Sequence, residues 1–216
     1  MKSEIKDLNA QIVSLESQIS QVRELERKNE ELQNILKLKE KHMDYNPYNA
    51  RVTARDPGNF LSVLTIDKGA LQTLYKDMPV IAALNSDDGT KYAVVGYISE
   101  VGLLSSKVVT FTHSGSSIGV YIERTGETGI VSGEFELGKK GLCKISFLSK
   151  ETIIETGDKI FSSGGGLYPE DLYIGEVIEV GFDQNSHTMT GYIKPAVDFN
   201  TIRNVIVILE FERKFY

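Results

Sequence analysis

The first 42 residues carry a hydrophobic pattern that differs from the pattern of the rest of the chain. This segment contains no glycine or proline and is rich in Glu, Lys, Gln, Leu and Ser. Its apolar residues recur at steps of three and four, as they do along the a/d seam of a coiled coil. The predicted seam consists of Ile5, Leu8, Ile12, Leu15, Ile19, Val22, Leu25, Asn29, Leu32 and Leu36. We therefore predict a stalk helix over residues 1–44 that forms a parallel dimer; about 40 helical residues would extend about 60 Å.

The stalk pattern leaves some alternatives open. The step from Val22 to Leu25 is three residues where four are expected, a stammer that locally overwinds a supercoil. Asn29 favours an in-register dimer if it is buried in the seam, but is unremarkable if it is solvated near a fraying end. A single amphipathic helix packed on its own domain is the alternative to a coiled coil. The seam is narrower than a core-packing face, and Glu24 with Lys28 is an opposite-charge pair at helical spacing.

After His42 the pattern changes to short runs in which apolar and polar residues alternate. The segment YNPYN (45–49) marks the break, because Pro47 has no backbone N–H and asparagine favours turns. Roughly a dozen runs rich in Val, Ile, Tyr, Phe and Thr follow, separated by glycine-rich turns. Runs assigned as strands are 50–55, 60–66, 92–100, 107–112, 118–124, 142–148, 173–180, 188–194 and 204–211.

This pattern predicts a mainly β body made of two small β-barrels behind an N-terminal coiled-coil helix. The predicted domains are the stalk at 1–44, a first barrel at 45–112 and a second barrel at 113–216. The C-terminal strand is allowed to return to the first barrel.

Composition excludes several classes of function. The net charge of −6 argues against a nucleic-acid partner, which needs clustered Lys and Arg. The single cysteine, Cys143, lies in the apolar run LCKISFL and is interpreted as a buried structural thiol. No apolar run has the ~18 residues of a membrane span. We predict no cofactor and no metal, because the three histidines show no spacing with acidic residues typical of a metal site.

Fragments that resemble catalytic motifs fail in their context. Residues 115–119 match G-x-S-x-G, but a strand-like run follows where a nucleophile elbow needs a helix. Residues 133–140 nearly match a P-loop but lack its Ser or Thr, and are interpreted as a strand with a hairpin turn. His113 and Ser114 allow a trypsin-like hydrolase to be considered, yet His42 lies on the stalk and His187 in a turn. We predict no catalytic residues.

A glycine-rich run, Ser162 to Gly166, has two interpretations. Three consecutive glycines are costly in conformational entropy, so the fold is expected to need positive φ or close backbone approach there. Alternatively the run is an exposed partner-binding loop, because binding residues concentrate on loops of rigid frameworks. The candidate loop residues are Gly164, Gly165, Gly166, Leu167 and Tyr168. We favour the structural role.

Several segments, taken in series, resemble the rod shape-determining protein MreC family. ARVTARDPGNF is similar to the opening of the family's body, with Phe60 where Trp is common. Asp77 stands where the family has Gly. The segments that carry the resemblance are 29–39, 50–60, 64–81, 94–133, 156–177 and 195–208.

The resemblance implies a non-enzymatic scaffold of the bacterial cell-elongation complex that organises peptidoglycan synthases for lateral wall growth. The expected partners are a second copy of the chain through the stalk, penicillin-binding proteins and other membrane proteins of the rod-shape complex. The expected location is the cell membrane, with a single-pass anchor absent from this chain and this part on the extracytoplasmic side. The alternatives are a two-barrel trypsin-like hydrolase and a periplasmic adaptor, which would need a helical hairpin.

Overall fold

The structure is a computed structural model that describes residues 2–41, 46–56, 63–86, 89–146, 148, 153–183 and 188–209. Helix α1 spans Lys2–Lys41 without interruption, as expected for a segment free of glycine and proline. None of the helices in these ranges combines the length and the apolar composition that a membrane span requires.

Twelve strands, a 3₁₀ turn (Ala70–Gln72) and one further α-helical turn follow α1 in the described part of the chain. The helical turn α2 spans Phe135–Gly138. The strands are β1 (Pro47–Arg55), β2 (Val63–Ile66), β3 (Pro79–Ser86), β4 (Gly89–Val101), β5 (Ser106–Thr110), β6 (Ser117–Ile122), β7 (Thr128–Ser132), β8 (Cys143–Ser146), β9 (Lys159–Ser163), β10 (Glu170–Asp183), β11 (Thr188–Pro195) and β12 (Asn204–Ile208).

The strands form two closed rings of six. In the first ring the order is β4-β3-β12-β1-β2-β5, and β5 pairs back onto β4. The C-terminal strand β12 lies antiparallel between β1 and β3, so the chain returns to the first ring after completing the second. In the second ring the order is β11-β8-β7-β6-β9-β10, and β11 pairs back onto β10. Closure leaves neither ring with an open edge along its length.

The rings meet where β10 pairs in parallel with β4 at Tyr173 and Ala93. Tyr173 is the last of three aromatic side chains in a row across the second ring. The Tyr173 and Phe161 ring centroids are 5.2 Å apart, and the Phe161 and Tyr121 centroids are 5.9 Å apart. Such cross-strand aromatic pairs stabilise a sheet. One continuous hydrophobic core fills both rings, and in β5 and β6 its residues alternate with more exposed positions.

The fold-class prediction is confirmed: the chain is mainly β, with an N-terminal helix and barrel architecture. Each of the nine strand assignments overlaps a described strand. Residues 111–112 and 123–124 lie in turns, and ends such as 60–62 and 210–211 lie outside the described residues. The interpretation of 133–140 as strand and hairpin turn is wrong, because Phe135–Gly138 form a helical turn. Gly138 donates its N–H to the Glu134 carbonyl at 2.7 Å, a helical bond that a strand does not make. The domain boundaries stay a prediction.

Candidate interaction surfaces

The predicted seam is an exposed apolar stripe on α1. Its side chains from Ile12 to Leu36 have exposed fractions of half to two thirds, among them 57% for Leu15 and 50% for Ile19. The side chains of Ile5 and Leu8 lie outside the described residues. Hydrophobic residues that recur on one face and stay this exposed indicate a surface that a partner covers. The dimer itself stays a prediction at this point.

Polar side chains next to the seam are paired along the helix. The Lys28 ammonium lies 2.9 Å from the Glu24 carboxylate, and Lys28 lowers the pKa of Glu24 through this hydrogen bond and its charge. Asn29 is exposed in the single chain, where its amide oxygen accepts a hydrogen bond of 2.8 Å from Gln33 Nε2. Both residues lie on the same helix, so in a dimer the Asn29 amide can replace this hydrogen bond by one to the second copy of the chain.

The C-terminal end of α1 is docked on the first ring. Leu38 is completely buried in the core, and Tyr92 of β4 donates its hydroxyl hydrogen to the Asn34 carbonyl at 2.7 Å. Burial raises the pKa of Tyr92 to about 12, so the hydroxyl remains a donor at any physiological pH. Because Leu38 and Asn34 lie off the seam, the helix is fixed to its own body by one face while the seam stays exposed. The choice between a coiled coil and an amphipathic helix packed on its own domain stays a prediction.

The glycine-rich loop joins β9 to β10 in a conformation that needs glycine. Gly164, Gly165 and Gly166 have φ values of +75°, +76° and +66°, a region that L-residues rarely adopt. Ser162 closes the loop, because its hydroxyl donates to the Pro169 carbonyl at 2.7 Å and accepts from the Leu172 N–H at 2.9 Å.

The two candidate contact residues of this loop point inward. Tyr168 is buried, with 5% of its surface exposed, and Leu167 packs partly buried against the core. In this conformation Tyr168 is not available to a partner. The role of the loop in partner binding stays a prediction. Of the candidate residues, the three glycines and the exposed part of the Leu167 side chain remain accessible to a partner.

Alanine at each of these glycines is expected to destabilise the body by about 1 kcal/mol or more, because the left-handed region is strained for alanine. Gly164→Ala should cost most, since its Cβ would also lie 3.1 Å from Glu170 Cβ, whereas Gly166 faces open space. Thermal melts test this, with about 2–4 °C expected per kcal/mol for a chain of this size. Gly181→Ala is the control, because its Cβ meets nothing within 4 Å. Three unchanged melting temperatures would reject the structural role.

The residues considered for catalysis are not brought together. Among the described residues the His113 side chain makes no hydrogen bond to a serine or a carboxylate, and the buried Ser116 hydroxyl donates to the Thr110 carbonyl at 3.3 Å. Cys143 is fully buried, and burial raises the pKa of its thiol to about 12. A thiol held protonated in the core is a poor nucleophile. Within the same described ranges no three His, Cys, Asp or Glu side chains are grouped as metal ligands.

The barrel body matches a known family along most of its length. The family model described as "Rod shape-determining protein MreC, barrel core" matches residues 52–209. The chain belongs to the MreC family. The match begins in β1 and ends one residue after β12, so it covers both rings.

Relatives and solved structures of the MreC family agree with this assignment. The cell shape-determining protein MreC of Bacillus subtilis is 33% identical over 199 residues, 88% of this chain and 66% of the relative. The chain thus spans 66% of the length of the relative. A structure of MreC from Listeria monocytogenes has a TM-score of 0.65 at 25% identity and covers 93% of this chain and 97% of its own. A complex between penicillin-binding protein PBP2 and MreC from Helicobacter pylori has a TM-score of 0.58 at 13% identity over 76% of this chain and 98% of the other.

Sequence reasoning missed the joint between helix and body in this MreC chain. Ile35 and Leu38 are apolar residues three positions apart that do not belong to the predicted seam. Of the two, Leu38 is fully buried in the core. A second short apolar stripe beside a coiled-coil seam is a signal that the helix end packs on something else. Nothing in the sequence marked Tyr92 as a partner of the helix, because its hydrogen bond to the Asn34 carbonyl depends on tertiary structure.

Proposed function

We propose that this chain is a non-enzymatic scaffold of the cell-elongation complex, which dimerises through its stalk and organises peptidoglycan synthases for lateral wall growth. Family membership supports the proposal, together with the complex of a PBP2 with an MreC of the same fold. The partners are then penicillin-binding proteins and other membrane proteins of the rod-shape complex. The family resemblance implies a place outside the cytoplasm and a single-pass membrane anchor that lies outside these 216 residues.

The exposed seam supports the proposed dimer. Each fully buried Leu, Ile or Val contributes about 1.5–3 kcal/mol of hydrophobic stabilisation, and seven described apolar seam positions from Ile12 to Leu36 are available. Burial between two parallel stalks removes this apolar surface from water on both copies at once. A parallel dimer also places two barrel bodies side by side, which gives a scaffold two equal sets of binding surfaces.

The two alternatives lack a comparable observation. A hydrolase of trypsin-like build needs serine, histidine and a carboxylate in one hydrogen-bonded group. In the described part of the chain His113 takes part in no such group. A periplasmic adaptor needs a helical hairpin, and α1 is the one long helix among the described residues.

Replacing His113, Ser114 and Ser117 together by alanine in the chromosomal gene is expected to leave rod shape intact. The reason is that a scaffold uses binding surfaces and needs no nucleophile or general base. Cell shape is read by microscopy, with deletion of the gene as the control that should give rounded cells. The amount of the variant in the cell is measured in parallel. Rounded cells that contain a stable, folded triple variant would support the hydrolase instead.

A further inference from the structure

A cleft of about 630 Å³ lies along the segments that connect the two rings. One wall is the turn after α2, residues 138–141, and the other is the crossover from β11 to β12, residues 194–200. Thr112, in the connection from β5 to β6, lies at its base. Cavities of this size accept a drug-sized molecule or a few residues of an extended peptide.

The turn that forms one wall is held firmly against the connection between the rings. Gly133 has its Cα so close to that connection that a Cβ would lie 2.3 Å from the Thr112 and His113 carbonyl oxygens. Gly138 also faces the Thr112 carbonyl, at 3.7 Å from an added Cβ. The close approach at Gly133 admits glycine alone, so the segment that leads into α2 is fixed against the connection between the rings, while the contact at Gly138 is an ordinary van der Waals contact.

The floor of the cleft is apolar and fixed. Val197 and Phe199 are 4% and 8% exposed, and the Phe199 ring packs edge-on against Phe111 with centroids 5.8 Å apart. Arg55 of β1 holds this crossover, because its Nε donates to the Phe199 carbonyl at 3.0 Å and its Nη2 donates to the Ile202 carbonyl. Val197 and Phe199 therefore fix the segment from beneath, and the apolar surface that a ligand can contact is that of the half-buried Pro195 and Ala196.

The rim of the cleft is positive although the chain carries a net charge of −6. Lys140 and Lys194 are exposed and make no ion pair among the described residues. The one acidic residue of the lining, Asp198, is occupied by its own turn, where its carboxylate accepts from the Asn200 N–H at 2.9 Å and from Thr201 Oγ1 at 3.0 Å. These bonds from Asn200 lower the pKa of Asp198 and keep its charge directed into the turn. The lining thus holds three lysines, Lys139, Lys140 and Lys194, and one ionised carboxylate, Asp198, so its net charge is positive.

The kind of anion follows from the donors that are present. The backbone N–H groups of residues 139–142 all donate to carbonyls within their own turn, so no backbone nest is available for a phosphate. No arginine lines the cleft to bind phosphate in bidentate fashion. Lys140 and Lys194 are point charges that can each pair with a single carboxylate of an extended peptide, while apolar side chains of the peptide contact Pro195 and Ala196.

From this geometry we propose that the cleft binds an extended acidic segment of a partner protein, a few residues long, with carboxylates against Lys140 and Lys194. The proposal rests on the scaffold function and gives it a specific binding site. Charge complementarity and the apolar floor together set the expected motif: apolar residues interleaved with Asp or Glu.

A selection from a random heptapeptide library on the immobilised chain tests the proposal. The enriched peptides are expected to combine at least about two acidic residues with apolar ones, and their affinity should fall as ionic strength rises. The double variant Lys140→Glu with Lys194→Glu is expected to weaken the selected peptides by at least about tenfold, measured by fluorescence anisotropy. The control is Lys76→Glu with Lys159→Glu, which changes the net charge equally at exposed lysines away from the cleft and should leave affinity unchanged.

Two results would overturn the proposal. One is a selection whose enriched peptides lack Asp and Glu. The same conclusion follows if the affinity of the selected peptides is unchanged in K140E/K194E while circular dichroism shows an intact body. The other is polyphosphate binding more tightly than any selected peptide and lost in the same variant, which would assign the cleft to a phosphate polymer. Capture of penicillin-binding proteins by the wild-type chain is measured separately. If that capture persists while the cleft binds no acidic peptide, the cleft assignment alone is rejected.

Discussion

Replacing Leu15 and Ile19 by aspartate is expected to turn a dimeric chain into a monomer whose β structure is unchanged. Both residues lie at the centre of the exposed seam, with exposed fractions of 57% and 50% in the single chain. In a parallel dimer each substitution would place a carboxylate against its own copy in a dry interface, which costs several kcal/mol. The β body should not change, because the joint at Leu38 and Tyr92 lies far along the helix from the substitutions.

Sedimentation velocity measures this change, and far-UV circular dichroism checks the body. The matched control is Val13→Asp with Ser17→Asp, two exposed positions off the seam with the same four-residue spacing. That control adds the same charge to the helix and should remain a dimer. A seam variant that sediments as a dimer would show that the stalk is not the principal interface.

Loss of the Arg124–Asp158 ion pair is expected to destabilise the second ring by clearly more than the loss of an exposed ion pair does. Arg124, in the turn between β6 and β7, donates from Nε and Nη2 to the two carboxylate oxygens of Asp158 at 2.7 and 2.9 Å. Its Nη2 also donates to the Ile153 carbonyl at 2.8 Å, and the Glu155 N–H donates to Asp158 at 2.8 Å. The pair therefore ties the β6–β7 turn to the segment that precedes β9.

The expected cost follows from the burial of one partner. Asp158 is 6% exposed, so removing Arg124 leaves a buried carboxylate with a single remaining donor. Arg124 is 43% exposed at its side chain, and solvent screening keeps the cost below the ~3–5 kcal/mol of a fully buried pair. Arg124→Ala and Asp158→Asn are both expected to lower the free energy of unfolding, measured by urea denaturation.

The same pair predicts a pH dependence. The hydrogen bond from Arg124 holds the pKa of Asp158 below its ordinary value of 3.8. A lowered pKa in the folded state means that the stabilisation is complete above that ordinary value and is lost as pH falls below it. Asp158→Asn should therefore flatten the loss of stability that wild type shows as pH falls below about 4. The remaining acid sensitivity includes Asp198, whose pKa is also lowered.

Glu100→Gln is the control for this prediction. Glu100 pairs with Lys107 at 2.8 Å, but both side chains are more than half exposed. Its loss should change stability by less than about 0.5 kcal/mol, as is typical of exposed pairs. Equal effects of Glu100→Gln and Asp158→Asn would contradict the structural role assigned to the buried pair.

Nine of the twelve described strands were predictable from the sequence, and β3, β7 and β9 were missed. In β5 and β6 buried residues alternate with more exposed ones, which is the signal that a half-buried strand leaves in a sequence. In β3, by contrast, Val80, Ile81 and Ala82 are all buried, so no alternation marks the strand. β7 and β9 were also missed, although their length is that of β5 and the burial of β9 alternates.

The candidate functional surfaces differ in how far apart in the sequence their residues lie. The stalk seam was predictable because its period is written in consecutive turns of one helix. The need for glycine at Gly164 to Gly166 was also predictable, because three adjacent glycines are rarely accidental. The cleft was not, since Lys140 and Lys194 are 54 positions apart in the sequence and are brought to one groove only by the closure of the second ring.

Retention of penicillin-binding proteins on the immobilised chain tests the scaffold account most directly. Membranes of the source bacterium are solubilised in mild detergent, treated with a fluorescent penicillin, and passed over the wild-type chain. The account predicts that at least one fluorescent protein is retained, and that it loses its label when the membranes are first saturated with unlabelled penicillin. Retention no greater than on a resin carrying the heat-unfolded chain would contradict it.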